Sequence, residues 1–187
     1  MLPGRGAPSR HDGGEAVTRK KNGWLEIVET VVLAFVLAFL IRTFVFESFQ
    51  VQGISMEPTL QNHYRVLVNK LIYDFETPKT GQVVVFRSPV IKNQDWIKRV
   101  IGVPGDVISV RNNVVYINGK RYHEPFLKYR QSINVAPVKV PPGELWVEGD
   151  NRPKSFDSRY FGFLPMKNLT GQAFLIWWPL SQFRWLQ

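Results

Sequence analysis

The stretch Gly53-Ile54-Ser55-Met56-Glu57-Pro58-Thr59-Leu60 presents one small hydroxyl in a turn. Gly53 lets the backbone reverse, and Pro58 fixes the chain behind it. Such a turn can aim the Ser55 backbone N–H at a developing oxyanion. A serine hydroxyl is a poor nucleophile by itself and needs a base within hydrogen-bond reach. Taken alone, the stretch reads as an ordinary turn, since Gly, Ser and Pro favour turns for structural reasons.

The base need not be a histidine. His63 follows Ser55 closely but falls in a turn, and His123 sits in a basic segment, so both read as surface residues. A better candidate lies in Trp96-Ile97-Lys98-Arg99-Val100-Ile101-Gly102-Val103-Pro104-Gly105-Asp106. On a strand, Trp96, Lys98 and Val100 share one face, and Ile97, Arg99 and Ile101 the other. A lysine on an apolar face either snorkels to water or is desolvated. Desolvation disfavours the ammonium and lowers its pKa, which would let neutral Lys98 take the Ser55 proton. Arg99 cannot do this, because a guanidinium stays charged. A third polar stretch, Gly149-Asp150-Asn151-Arg152-Pro153-Lys154-Ser155-Phe156-Asp157-Ser158-Arg159, is dense in groups that bond one another. It reads as an ordered loop, with Ser155 expected to hold Lys98 by a hydrogen bond and with Asp157 and Arg159 bracing it.

The elements that would carry these groups follow from composition. Residues 1–22 are rich in Gly, Pro and Arg without apolar periodicity and read as a disordered basic arm. Residues 23–46 turn apolar, with Glu26 and Glu29 near one end and Arg42 near the other. Their uncharged centre is shorter than the ~20 residues of a standard span, but snorkelling flanks extend it, so one transmembrane helix is expected. A cleaved secretory signal fits less well, since no clear small-residue cleavage site follows, and a buried core helix is the remaining reading. The charge asymmetry leaves the arm, with His11, in the cytoplasm and residues 47–187 outside, at the cell membrane.

Beyond Phe46 the pattern has period two. Strands are expected at Phe49 and Val51, Val66 and Val68, 83–86, 96–101, 107–110, 114–117, 145–148 and 173–178, with a hairpin turn at Arg111-Asn112-Asn113 and another at Asn118-Gly119. The fold class is therefore mainly β, an antiparallel sheet or barrel-like domain behind one N-terminal transmembrane helix. Trp177, Trp178, Phe183 and Trp185 read as core by default, with the bilayer interface as the alternative. The net charge of +9 is explained in part by the arm, which makes nucleic acid an unneeded partner. No cysteine is present, which excludes disulfides, thiol catalysis and Cys-based metal sites.

In this combination and order, the stretches around Ser55, Lys98 and Asp150–Arg159 make the chain resemble type I signal peptidases, membrane-bound Ser/Lys proteases, in the form usual for Gram-positive-like bacteria. The resemblance spans about Trp24 to Pro179 and includes Arg42-Thr43-Phe44 after the membrane helix. It implies Ser55 as nucleophile, Lys98 as general base, Ser155 as the hydroxyl orienting the lysine, and Asp150, Arg152, Asp157 and Arg159 as a supporting network. It implies secretory preproteins as substrates, cut after an A-x-A pattern, a lipid bilayer and nearby translocation machinery as surroundings, and neither cofactor nor metal. Val51, Gly53, Trp96 and Ile97 are the expected substrate-binding residues. Two departures stand out: Gly53 replaces a serine that some members carry, and His63-Tyr64 replaces the common Gly-Asp before Arg65. A self-cleaving repressor-type Ser/Lys protease would need a DNA-binding domain in place of the span. A membrane-anchored basic β module binding lipid headgroups or a partner protein would explain the charge but not Ser55, Lys98 and Ser155 together.

Overall fold

The computed structural model describes residues 23–112 and 114–186, except the side chains of 41–44. The basic arm and Asn113 of the expected hairpin turn lie outside the described residues. The chain divides into two units, Met1–Ala38 and Phe39–Gln187. Helix α1 runs over Gly23–Phe44. Its stretch Gly23–Leu40 is long and apolar enough to cross a bilayer, and none of it is buried. A helix that is apolar all round belongs in a core or a membrane, so this unburied one fits a membrane anchor. It ends two residues short of the expected Phe46, because Phe46 already pairs with Asn69 in a sheet.

The second unit is built of strands. They are β1 (Phe46–Gln50), β2 (Arg65–Asn69), β3 (Val83–Arg87), β4 (Asp95–Gly102), β5 (Val107–Arg111), β6 (Val114–Ile117), β7 (Lys120–Arg121), β8 (Val135–Lys139), β9 (Glu144–Glu148), β10 (Leu164–Pro165), β11 (Leu169–Trp178) and β12 (Arg184–Trp185). Two short helices, α2 (Ile72–Phe75) and α3 (Ser158–Phe161), interrupt them. The larger sheet is a curled array in the order β1-β2-β11-β3-β4-β9-β10, with β12 on β11; the smaller one runs β7-β6-β5-β8. Every named strand pairing is antiparallel.

The continuous run Val83-Val84-Val85-Phe86 is buried on both faces, as a central strand must be. It separates two apolar clusters: one gathers Val51, Met56, Leu60, Val66 and Val85, the other Val84, Phe86, Val100 and Val147. A third, around Ile101, Ile108 and Trp146, joins the two sheets. Asn118 (φ 52°) and Gly119 (φ 77°) supply the left-handed pair that a tight hairpin between β6 and β7 requires. The default core assignment fails for three of the four C-terminal aromatics: Trp178 is 48 % exposed, Phe183 57 % and Trp185 67 %, whereas Trp177 is half-buried. Trp185 is on the two-residue strand β12, which among the described residues pairs with β11 alone, and its ring stacks on Phe174 of that strand.

Candidate active site

Two antiparallel neighbours set the position of Lys98. Strand β3 pairs with β4 from Asp95 to Arg99, but β9 pairs with β4 only at Arg99, Val100 and Gly102. The edge of Asp95–Lys98 that faces away from β3 is therefore unpaired among the described residues. Beyond Glu148 the chain leaves β4 through Gly149 and folds under the Ser55 turn. A side chain on Gly149 would collide with Ser155 Oγ and with the Ser55 carbonyl, so only glycine permits this approach. The Asn151 N–H then donates to that carbonyl at 2.9 Å.

Into this junction Lys98 extends its Nζ, 2.8 Å from Ser55 Oγ and 3.1 Å from Ile97 O. Lys98 is buried, 5 % exposed. Burial lowers its pKa from the ordinary 10.5 to about 8, partly opposed by the charges of Asp157 and Asp150. A substantial fraction of Lys98 is thus neutral near pH 8, and a neutral amine has a lone pair for the Ser55 proton. The Ser55 N–H donates to no acceptor among the described residues, which leaves it free for an oxyanion. Gly53 has φ 92°, a backbone conformation that side chains resist, and its N–H donates to Asn62 Oδ1 at 3.0 Å.

Ser155 differs from expectation. Its hydroxyl donates to Asp157 Oδ2 at 2.6 Å and makes no hydrogen bond to Lys98. The reason is the carboxylate two residues on, which is a stronger acceptor than an amine that itself seeks acceptors. Asp157 also accepts the Gly149 N–H at 2.9 Å and Arg159 Nε at 2.8 Å, and it caps α3. Arg159 returns a bond to the Arg152 carbonyl at 2.9 Å. Asp150 instead faces Arg99, receiving Nε at 2.9 Å and Nη2 at 2.8 Å, together with the Thr59 hydroxyl at 2.5 Å. Arg152 donates to the Gly149 carbonyl and pairs with Glu124 and Glu148. The four charged residues are thus brought into one loop, but in two separate groups, with Asp150 apart from the other three.

Sequence reasoning missed Arg99, Thr59, Glu124 and Glu148. Glu148 is fully buried: Trp146 Nε1 donates to its Oε1 at 2.8 Å, and Oε2 contacts Arg152 Nη1 at 2.6 Å without an aligned hydrogen bond. Burial raises its pKa, opposed by Arg152. His63 and His123 stay outside the site: both are exposed, and the His63 ring contacts the Asn62 side chain.

A cleft of about 600 Å³ leads to Ser55 and Lys98 between the Phe49–Gly53 segment and Asp95–Ile97. Val51, Gly53, Trp96 and Ile97 all line it. Residues 24–178 match the family described as signal peptidase, peptidase S26. The chain belongs to this family. It is 42 % identical over 167 residues to a probable signal peptidase I-2 of Synechocystis sp., covering 87 % of this chain and 77 % of that protein. It is 38 % identical over 181 residues to the signal peptidase I of Bacillus licheniformis, covering 91 % and 97 %. The crystal structure of a signal peptidase I from Enterococcus faecalis V583 matches at 32 % identity with a TM-score of 0.46, covering 52 % of this chain and 97 % of that one. As a member of the signal peptidase family the chain is a serine-type endopeptidase.

Proposed function

We propose that this protein removes signal peptides from secretory preproteins, with Ser55 as nucleophile and Lys98 as general base. The observation that carries the reading is the 2.8 Å contact between Lys98 Nζ and Ser55 Oγ at a buried, pKa-lowered lysine. Neutral Lys98 takes the Ser55 proton as Oγ bonds to the scissile carbonyl carbon. The Ser55 N–H receives the oxyanion. Lys98 then hands its proton to the departing amine, leaving an acyl-enzyme that water hydrolyses with Lys98 again as base.

The substrate enters as an added strand. Among the described residues β1 has a partner on one side only and Asp95–Lys98 has a free edge, so the walls of the cleft offer unpaired backbone groups to an extended segment. Val51 and Ile97, packed in one cluster, form a shallow floor suited to the small residues of an A-x-A pattern. Asp157, Arg159 and Ser155 brace one part of the loop, and Asp150 with Arg99 another. Helix α1 anchors the enzyme, with residues 1–22 in the cytoplasm and 47–187 outside. The bilayer and the translocation machinery beside it would supply inserted preproteins at high local concentration.

The test is preprotein cleavage by the detergent-solubilised full chain, its Ser55→Ala form and its Lys98→Ala form. Both variants are expected to stay folded and lose activity by about 10⁴-fold or more. Full activity in Lys98→Ala would overturn the assignment of the base.

A further inference from the structure

Phe156 has no role in the chemistry above, yet it lines the cleft and is 49 % exposed. A large aromatic ring left half in water at a binding cleft presents contact area with little conformational freedom to lose. The residues on either side of it, Ser155 and Asp157, are tied by a side-chain hydrogen bond of 2.6 Å. Its ring stacks on Tyr160, with centroids 5.3 Å apart and planes at 13°. It meets the Trp96 ring edge-on, centroids 6.1 Å apart. Trp96 is itself held by its indole N–H, which donates to Gln94 Oε1 at 2.9 Å.

The two faces of β4 separate these groups. Ile97 packs with Val51 in one cluster, whereas Trp96 belongs to the cluster on the opposite face. A substrate strand added to the free edge of Asp95–Lys98 shares the pleat of β4, so its side chains alternate between those same two faces. Side chains at the first and third positions before the cut then share the Val51–Ile97 floor. The side chain between them points to the other face, toward Trp96 and Phe156. We infer that Phe156, with Trp96, is a specificity wall that favours an aromatic or large aliphatic side chain at the middle position of the small-x-small cleavage pattern. This inference rests on the proposed cleavage function and names a substrate preference within it.

Trp96 thereby leaves the set of residues that shape the small pockets and joins the wall. Lys154 lines the same cleft, but its chain is long and charged and adds no apolar area. Burying part of one apolar side chain against such a wall gives discrimination of about tenfold.

The experiment uses the full chain in detergent and a set of water-soluble peptides, identical except for Phe, Leu, Ser or Asp at the middle position of Ala-x-Ala. The expected result is a kcat/KM about tenfold higher for Phe and Leu than for Ser and Asp. Phe156→Ala should bring that ratio close to one, and Phe156→Leu should retain part of it. A thermal melt of each variant guards against loss of the fold, because misfolding lowers all four rates together and leaves their ratio unchanged. Equal rates on all four peptides in the unmodified enzyme would overturn the wall and leave the cleavage function standing. So would a ratio that survives Phe156→Ala. Failure to cleave any of the four would overturn the cleavage function and the wall with it.

Discussion

The Asn151 N–H holds the Ser55 carbonyl at 2.9 Å, so the turn bearing the hydroxyl and the loop after β9 form one piece. Lys98 is on β4, and its amine meets Ser55 Oγ at 2.8 Å without any side chain of the loop as intermediary. Geometry at the hydroxyl is therefore set by backbone contacts from one side and by a buried amine from the other.

Gly149→Ala tests that junction. The added methyl would collide with Ser155 Oγ and the Ser55 carbonyl, and the backbone carbonyl cannot swing aside as a flexible side chain can. The expected outcome is a loss of kcat of about 10²-fold, on the scale that a misplacement of about 1 Å produces. Steady-state kinetics with a preprotein substrate, beside a thermal melt, would check it.

The pH dependence follows from Lys98. Its pKa lies at about 8 in the folded protein, and the proposed mechanism needs the neutral form. kcat/KM should rise with pH through a midpoint near 8 and level off above it. A flat profile between pH 6 and 10 would remove Lys98 as the base.

Stability should change in the opposite sense when the lysine is removed. With a folded pKa below the unfolded 10.5, the unfolded chain binds more protons between about pH 8 and 10.5. The buried ammonium thus costs stability fully below pH 8, and the cost fades as pH rises toward 10.5. Lys98→Met should stabilise the folded chain at pH 6 by up to about 3 kcal/mol and abolish activity. Denaturant melts at pH 6 and pH 10 would read the difference, which should shrink at the higher pH.

Asp150→Asn leaves the Arg99 guanidinium buried without its carboxylate; the two side chains are 3 % and 0 % exposed. Breaking a buried pair on one side typically costs about 3–5 kcal/mol. The melting temperature should fall sharply. Activity should fall as well, because Asp150 also holds Thr59, four residues beyond Ser55.

Trp178 and Trp185 are exposed on the second unit. If they rest at the bilayer interface, their fluorescence in nanodiscs should be quenched by lipids brominated near the headgroup. Trp178→Ser with Trp185→Ser should remove that quenched component, and an unchanged signal would refute the interfacial placement.

Much of the strand content was legible in the chain. Val83–Phe86, Trp96–Ile101 and the β5–β6 pair carry β-branched or alternating patterns that favour extended pairing in any context. Strands β7, β10 and β12 were not legible, because each has only two residues and exists through its partner. Ser55 and Lys98 were legible as types: a hydroxyl in a Gly/Pro-flanked turn, and a lysine on an apolar face. Arg99, Glu124 and Glu148 were not, since nothing local tells a solvated charge from a buried one.

By itself, the sequence determined the apolar helix, most of the longer antiparallel strands and Ser55 and Lys98 as candidates, because these follow from periodicity and side-chain chemistry within a few residues. Only the tertiary structure decided that Ser55 and Lys98, 43 residues apart, lie within 2.8 Å, and that Lys98 is dry enough for its pKa to fall to about 8. It also decided that the Ser155 hydroxyl turns to Asp157. Burial and competition between acceptors depend on what other segments bring alongside, and no local pattern encodes them.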